Sequence, residues 1–192
     1  MRMIVGVTGA SGAVYGVRLL EELRNAGVET HLVISQWGAR TIAYETDYTL
    51  DQVRKLAYRC YDNHDMAAPI ASGGFCHDGM AIAPCSMKTL AAVACGFTDT
   101  LIARAADIAL KERRRLVLVA RETPLSAIHL QNMLTGAQSG AVLLPPAPAF
   151  YNRPQTIAEL VDHTVCRLLD QLQISNQTAR RWQGPPDTES EA

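Results

Sequence analysis

Met3-Ile4-Val5-Gly6-Val7 is an unbroken apolar run that ends in Thr8-Gly9-Ala10-Ser11-Gly12, and from Val14 to Leu23 apolar residues recur at helical spacing until Ala26-Gly27. The run predicts a buried strand, the glycines a tight turn, and the spacing a helix for which Gly27 is a good C-cap. Glu29–Ile34 then reads as a second strand. A strand, a turn, a helix and a strand in succession make a βαβ unit, which points to a parallel sheet.

Outward from this unit the alternation continues. Thr49-x-x-Gln52 has the form of a capping box and predicts a helix through about Arg59, followed by an Ala-, Gly-, Asp- and His-rich stretch from Tyr61 to Asp78. Gly79–Ala83 reads as a buried strand that runs into Pro84-Cys85-Ser86-Met87-Lys88-Thr89, with one helix to about Cys95 and another from Asp99 to Lys111. Leu116–Ala120 is the next strand, Pro124-Leu125-Ser126 opens a helix ending near Gly136–Gly140, and Ala141–Leu144 is a short last strand. After the proline-rich loop Pro145–Pro154, Thr156-x-x-Glu159 caps an amphipathic helix to about Leu172. The expected class is α/β: a Rossmann/flavodoxin-like, three-layer α/β/α fold with a mostly parallel sheet, one domain over residues 1–174 and a polar tail over 175–192 that includes Pro185-Pro186.

Bulk properties narrow the function. A chain of 192 residues suits one domain and buries about 70% of the surface its unfolded form exposes. Eighteen basic and nineteen acidic side chains give a formal charge of −1, which provides no electrostatic footprint for nucleic acid. The five cysteines are scattered, with no C-x-x-C pair, as expected of reduced thiols in the cytoplasm rather than disulfides or a metal site. The amino-terminal apolar run is too short for a secretion signal, and no stretch approaches the roughly 20 apolar residues of a membrane span.

Turns after parallel strands lie at the carboxyl edge of the sheet, where a following helix presents free N–H groups and partial positive charge to an anion. Three such turns carry hydroxyls: Gly9-Ala10-Ser11-Gly12, Ser86-Met87-Lys88-Thr89, and Arg121-Glu122-Thr123-Pro124 with Ser126. Each alone reads equally well as a capped helix; the three together point to a phosphate. The first turn is not a P-loop, its Gly6-x-x-Gly9-x-x-Gly12 spacing is not G-x-G-x-x-G, and the second strand ends at Ser35 rather than at an acidic residue for a dinucleotide ribose. A mononucleotide with one terminal phosphate fits better, with Ser35 as a neutral hydroxyl beside it. Arg121 and Glu122 follow a buried strand, Glu45 lies in a helix-ending turn, and Lys111, Tyr151 and Arg167 are candidates for a second anion pocket. On spacing alone Lys111 and Arg167 read as solvated surface. None of the five histidines has ligand spacing, so they read as packing or surface; Cys85 reads as a buried structural thiol.

Val5–Ala13, Pro84–Thr89, Arg104-Ala105-Ala106-Asp107 with Lys111-Glu112-Arg113, Arg121–Pro124, Ile128–Met133 and Pro148–Tyr151 together resemble the UbiX family of flavin prenyltransferases, from about Met3 to Leu172. Ala179–Gly184 further resembles the branch found beside hydroxyarylic acid decarboxylases. The resemblance implies transfer of a dimethylallyl group from dimethylallyl phosphate to reduced FMN, at N5 and then with ring closure at C6, to make the prenylated FMN that a separate UbiD-type decarboxylase uses. It places FMN on Gly9, Ala10, Ser11, Ser35, Ser86, Met87, Lys88, Thr89 and Arg121, and the prenyl phosphate on Tyr151 and Arg167. Lys111 contributes to that clamp, with Glu45 and Glu122 near the reacting atoms, and either Glu122 or the departed phosphate serves as base. Cations and a phenol on the leaving phosphate suffice for heterolysis without a metal. The family also implies a dodecamer with its site at subunit contacts. Two other readings stand beside it: a flavin-dependent cysteine decarboxylase, disfavoured because its P-A-S-A-N-T motif is replaced by Pro84–Thr89, and a flavin-delivery or electron-carrier subunit without transferase activity.

Overall fold

The computed structural model describes residues 1–179, 181, 182 and 184. Among them one sheet is built from β1 (Arg2–Val7), β2 (Glu29–Ile34), β3 (Arg59–Tyr61), β4 (Gly79–Cys85), β5 (Arg115–Ala120) and β6 (Val142–Leu143). The strand order is β3-β2-β1-β4-β5-β6, and every pairing is parallel. The helices are α1 (Ala13–Asn25), α2 (Gln36–Glu45), α3 (Leu50–Arg54), α4 (Met87–Cys95), α5 (Leu101–Lys111), α6 (Ala127–Gln138) and α7 (Ile157–Gln171). This is the doubly wound α/β arrangement expected from the repeated strand-helix alternation.

The central strands are buried on both faces and therefore read as continuous apolar runs. Side chains still alternate: Val5, Ala81 and Val117, in register across three strands, join the core under α1 and α7, while Ile4, Met80 and Leu116 join the core under α5. Helices α1 and α4 pack on opposite faces. The chain leaves the sheet in opposite directions from neighbouring strands β1 and β4, so a crevice opens at their carboxyl ends. This is the switch point at which such sheets bind ligands.

One sequence expectation changes. The capping box at Thr49 and Gln52 is present, but the helix ends at Arg54 rather than near Arg59. Residues Arg59–Tyr61 instead pair with His31–Val33 as the edge strand. Nothing in Lys55–Tyr61 stops a helix; the unpaired edge of β2 takes these residues because strand pairing satisfies backbone groups of both segments. Ile174, the last residue of the expected domain, is buried, and past it the Thr178 hydroxyl donates to Glu22 at 2.9 Å and Arg181 reaches both oxygens of Asp170 at 2.7 and 2.9 Å. Pro185-Pro186 and the polar residues after them lie outside the described residues, as do Arg180 and Gln183 of the Ala179–Gly184 motif. No helix among the described residues is long and apolar enough to cross a membrane.

Candidate functional site

Thr8, the last buried residue before the first turn, fixes the crevice. Its backbone N–H and its hydroxyl both donate to the Pro84 carbonyl, at 3.2 and 2.8 Å, and its Oγ1 accepts the Ser86 N–H at 2.8 Å. The turns after β1 and β4 are thereby tied edge to edge. Ser86 caps α4, accepting from the Thr89 N–H at 3.3 Å with its Oγ 3.1 Å from the Thr89 hydroxyl. Ser35 caps α2 in the same way, accepting from the Gly38 N–H at 3.0 Å. The capped-helix reading of these hydroxyls is thus correct, and both still face the crevice. Gly9, Ser35, Trp37, Ser86, Lys88 and Thr89 line one cleft of about 290 Å³, and it adjoins a second of about 600 Å³ with which it shares Ser35, Gln36, Asn63 and His64. A Cβ on Gly9 would lie 2.3 Å from the Trp37 Cβ, so only glycine lets the indole close this side. Ala10 is buried in the turn, and Met87 packs on the core beneath α4.

A second group of residues surrounds the start of α1. Oε2 of Glu45, at the end of α2, accepts the Gly12 and Ala13 N–H groups at 2.7 and 3.0 Å. This carboxylate takes the Gly12 and Ala13 N–H groups at the α1 amino terminus, while Thr8 and Gly9 of the same turn line the cleft together with the helix caps Ser35 and Ser86. Burial raises the Glu45 pKa, but hydrogen bonds from Ser11, Gly12 and Ala13 and the charge of Arg121 outweigh it, and the net shift is downward. Tyr15 joins the group: burial raises its pKa, against a hydrogen bond with Thr164 and the charge of Arg121. Glu122 is exposed and accepts its neighbour's Thr123 N–H at 3.0 Å.

Because Glu45 is depressed in the folded state, its contribution is present above the ordinary carboxylate value and is lost as pH falls through the lowered one. Glu45→Gln is therefore expected to cost about 0.5–1 kcal/mol at neutral pH, the low end for a cap in contact with solvent. Denaturation midpoints taken at successively lower pH should show wild type and variant converging; a constant gap would assign the loss to packing instead.

The third group is built on α7. Tyr151, in the loop before it, places its hydroxyl 2.9 Å from His163 Nε2, and Arg167 lies one turn beyond His163, 3.2 Å from Asp170. His163 and Arg167 line a cleft of about 290 Å³ beside Leu144 and Pro145, at the carboxyl end of β6. His163 is packing in the sense the sequence suggests, but its partner Tyr151 lies 12 residues away and only the fold brings the two together.

A single chain does not bring Lys111 to the crevice, and Arg167 lines a separate cleft that shares no residue with it. Helix α5 starts beside the cleft, at Ile102 and Ala103, and runs against the strand direction. Ten residues at about 1.5 Å each carry Lys111 roughly 15 Å away. It ends near Arg115, which pairs with Gly79 at the opposite edge of the sheet, and there it pairs with Glu112. Cys85 is fully buried and its thiol is pushed up to about 12 by burial, so it is held as a neutral thiol. Thr8, Tyr15, Trp37 and His163 are the site residues that the sequence reading missed. Only Thr8 carried a signal, as a hydroxyl closing an otherwise apolar buried run.

A doubly wound parallel sheet with hydroxyl-bearing helix starts at its switch point is the framework of a class of phosphate- and nucleotide-binding proteins. In agreement, residues 1–172 match the Flavoprotein family. A probable UbiX-like flavin prenyltransferase of Bacillus subtilis is 55% identical over 184 residues, covering 96% of this chain and 90% of that one. The crystal structure of AnUbiX (PadA1) in complex with FMN and dimethylallyl pyrophosphate is 54% identical, with a TM-score of 0.95 over 96% of this chain and 98% of that one. A dodecameric FMN-dependent UbiX-like decarboxylase from Escherichia coli O157:H7 is 53% identical, with a TM-score of 0.94 over 96% and 100%. The chain belongs to the UbiX-like family of flavin prenyltransferases.

Proposed function

We propose that this protein is a flavin prenyltransferase that transfers the dimethylallyl group of dimethylallyl phosphate to reduced FMN, at N5 and then C6, yielding prenylated FMN. The observation that carries this reading is the match, over nearly the whole of both chains, to a structure holding FMN together with a dimethylallyl donor. The residues of this chain fit the flavin phosphate: Ser35, Ser86 and Thr89 hydroxyls, the Lys88 ammonium and two helix starts converge on one cleft. FMN supplies the nucleophilic ring, and the protein supplies position and charge. Gly9, Ala10, Ser11 and Met87 shape the turns around it, and Arg121, which follows β5, is near enough to Glu45 and Tyr15 for its charge to act on both.

The prenyl phosphate goes to Tyr151 and Arg167. A phenol donor and a guanidinium fork on the departing phosphate lower the cost of allylic heterolysis, because they meet charge as it develops. Either Glu122, whose carboxylate is at the surface of a single chain, or the departed phosphate takes the proton released on ring closure. Lys111 can join this clamp only from a second copy, and the dodecameric relative supports such an assembly. The product is consumed by a UbiD-type decarboxylase of hydroxyarylic or other aromatic acids. The protein acts in the cytoplasm, in keeping with five free cysteines, and residues 1–174 form its flavin-binding domain with 175–192 as a tail.

The test is anaerobic incubation with FMN, dithionite and dimethylallyl phosphate or pyrophosphate, followed by the mass of the released flavin. A gain of one five-carbon unit is the expected result. Unchanged, tightly bound FMN would replace the transferase with a carrier or delivery subunit.

A further inference from the structure

We infer that His163 is a positioning residue that sets the donor direction of the Tyr151 hydroxyl and couples it to Arg167, an inference that rests on reading Tyr151 and Arg167 as the prenyl phosphate clamp. Tyr151 sits in a proline-rich loop, is 52% exposed, and has its ring held edge-on between His163 and Trp182, with centroids 5.6 and 5.5 Å away. Its hydroxyl is fixed by His163 Nε2 at 2.9 Å. His163 in turn stands on a regular helix, four residues before Arg167 on the same face, and both line the cleft at the end of β6. One imidazole therefore holds a loop-borne phenol from the same helix face that carries the Arg167 guanidinium.

The direction of that hydrogen bond decides what the phenol can do. A phenol has one proton. If it donates to Nε2, only lone pairs are left to face a phosphate oxygen, which repels them. If Nε2 carries the proton and donates to the phenol oxygen, the phenolic O–H is free for the phosphate. A bound phosphate monoester therefore selects histidine protonated at Nε2, and histidine holds the phenol in the orientation that a free tyrosine on this loop would sample only part of the time.

The test measures the dissociation constant of dimethylallyl phosphate for the FMN-loaded protein in a double-mutant cycle, which reports binding rather than turnover. His163→Leu is expected to weaken binding about tenfold, the worth of one orienting hydrogen bond to a charged partner. His163→Gln, whose amide nitrogen reaches the Nε2 position and donates there, should restore near wild-type affinity. His163→Asn, which is too short to reach, should not, and it guards against a defect peculiar to the apolar variant. In a Tyr151→Phe background His163→Leu should cost nothing further. Equal losses in both backgrounds, or failure of Gln to rescue, would overturn the coupling while leaving the clamp intact. If wild type binds no dimethylallyl phosphate, the clamp itself is wrong and the inference falls with it.

Discussion

Replacing Arg167 by Leu is expected to lower kcat/KM for prenyl transfer by about 10²–10³-fold, the usual cost of removing one preorganised donor from a developing oxyanion, and to leave FMN affinity unchanged. The structure separates this loss from unfolding. Arg167 is exposed and its partner within the chain is Asp170 on the same helix, at 3.2 Å; an ion pair of that kind is worth about 0–1 kcal/mol. Asp170 also keeps Arg181 and Asn176 when Arg167 is gone. The thermal midpoint should therefore barely move while turnover collapses. Arg167→Lys keeps the charge but loses the planar fork, so it should fall between the two. Wild-type turnover in Arg167→Leu would remove this residue from the phosphate site.

Gly16→Ala is expected to destabilise the protein by about 1–3 kcal/mol, the range for overpacking. For a chain of this length each kcal/mol lowers the thermal midpoint by about 2–4 °C. The sign is informative, because alanine in the interior of a helix usually gains about 0.5–1 kcal/mol over glycine. Here the added Cβ would lie 2.3 Å from the Ala83 carbonyl oxygen. That oxygen belongs to a strand in the middle of the sheet and cannot move aside, so α1 must lift. Ala83 leads directly into Pro84–Thr89, hence FMN affinity should fall along with stability. Gly74→Ala is the matched control: its nearest neighbour is a serine hydroxyl at 3.6 Å, and it should be neutral. A higher midpoint for Gly16→Ala would show that α1 is not seated on β4 this closely.

Much of the frame was legible in the residues. Strand β2 was read with its observed ends, and the hydroxyl caps at Ser86 and Thr156 and the capping box at Thr49 are where the local patterns put them. Such features depend on spacing within one turn or one strand, which a linear chain displays directly. The alternation of strand and helix then gave the parallel class, because connections between parallel neighbours leave few other topologies. The turns with free hydroxyls were legible for the same reason.

What the chain alone could not give depends on distance through space. The length of α3 was settled by the open edge of β2. Glu45 took the start of α1, His163 took Tyr151, and Thr8 tied two turns that are 76 residues apart in sequence. Lys111 lies in one of the motifs that carry the resemblance, yet the direction of α5 takes it to the far edge of the sheet. Local preference decides which elements form. Where a side chain finally points is decided by the packing of elements against one another, and by the need of every buried polar group for a partner that no short stretch of sequence contains.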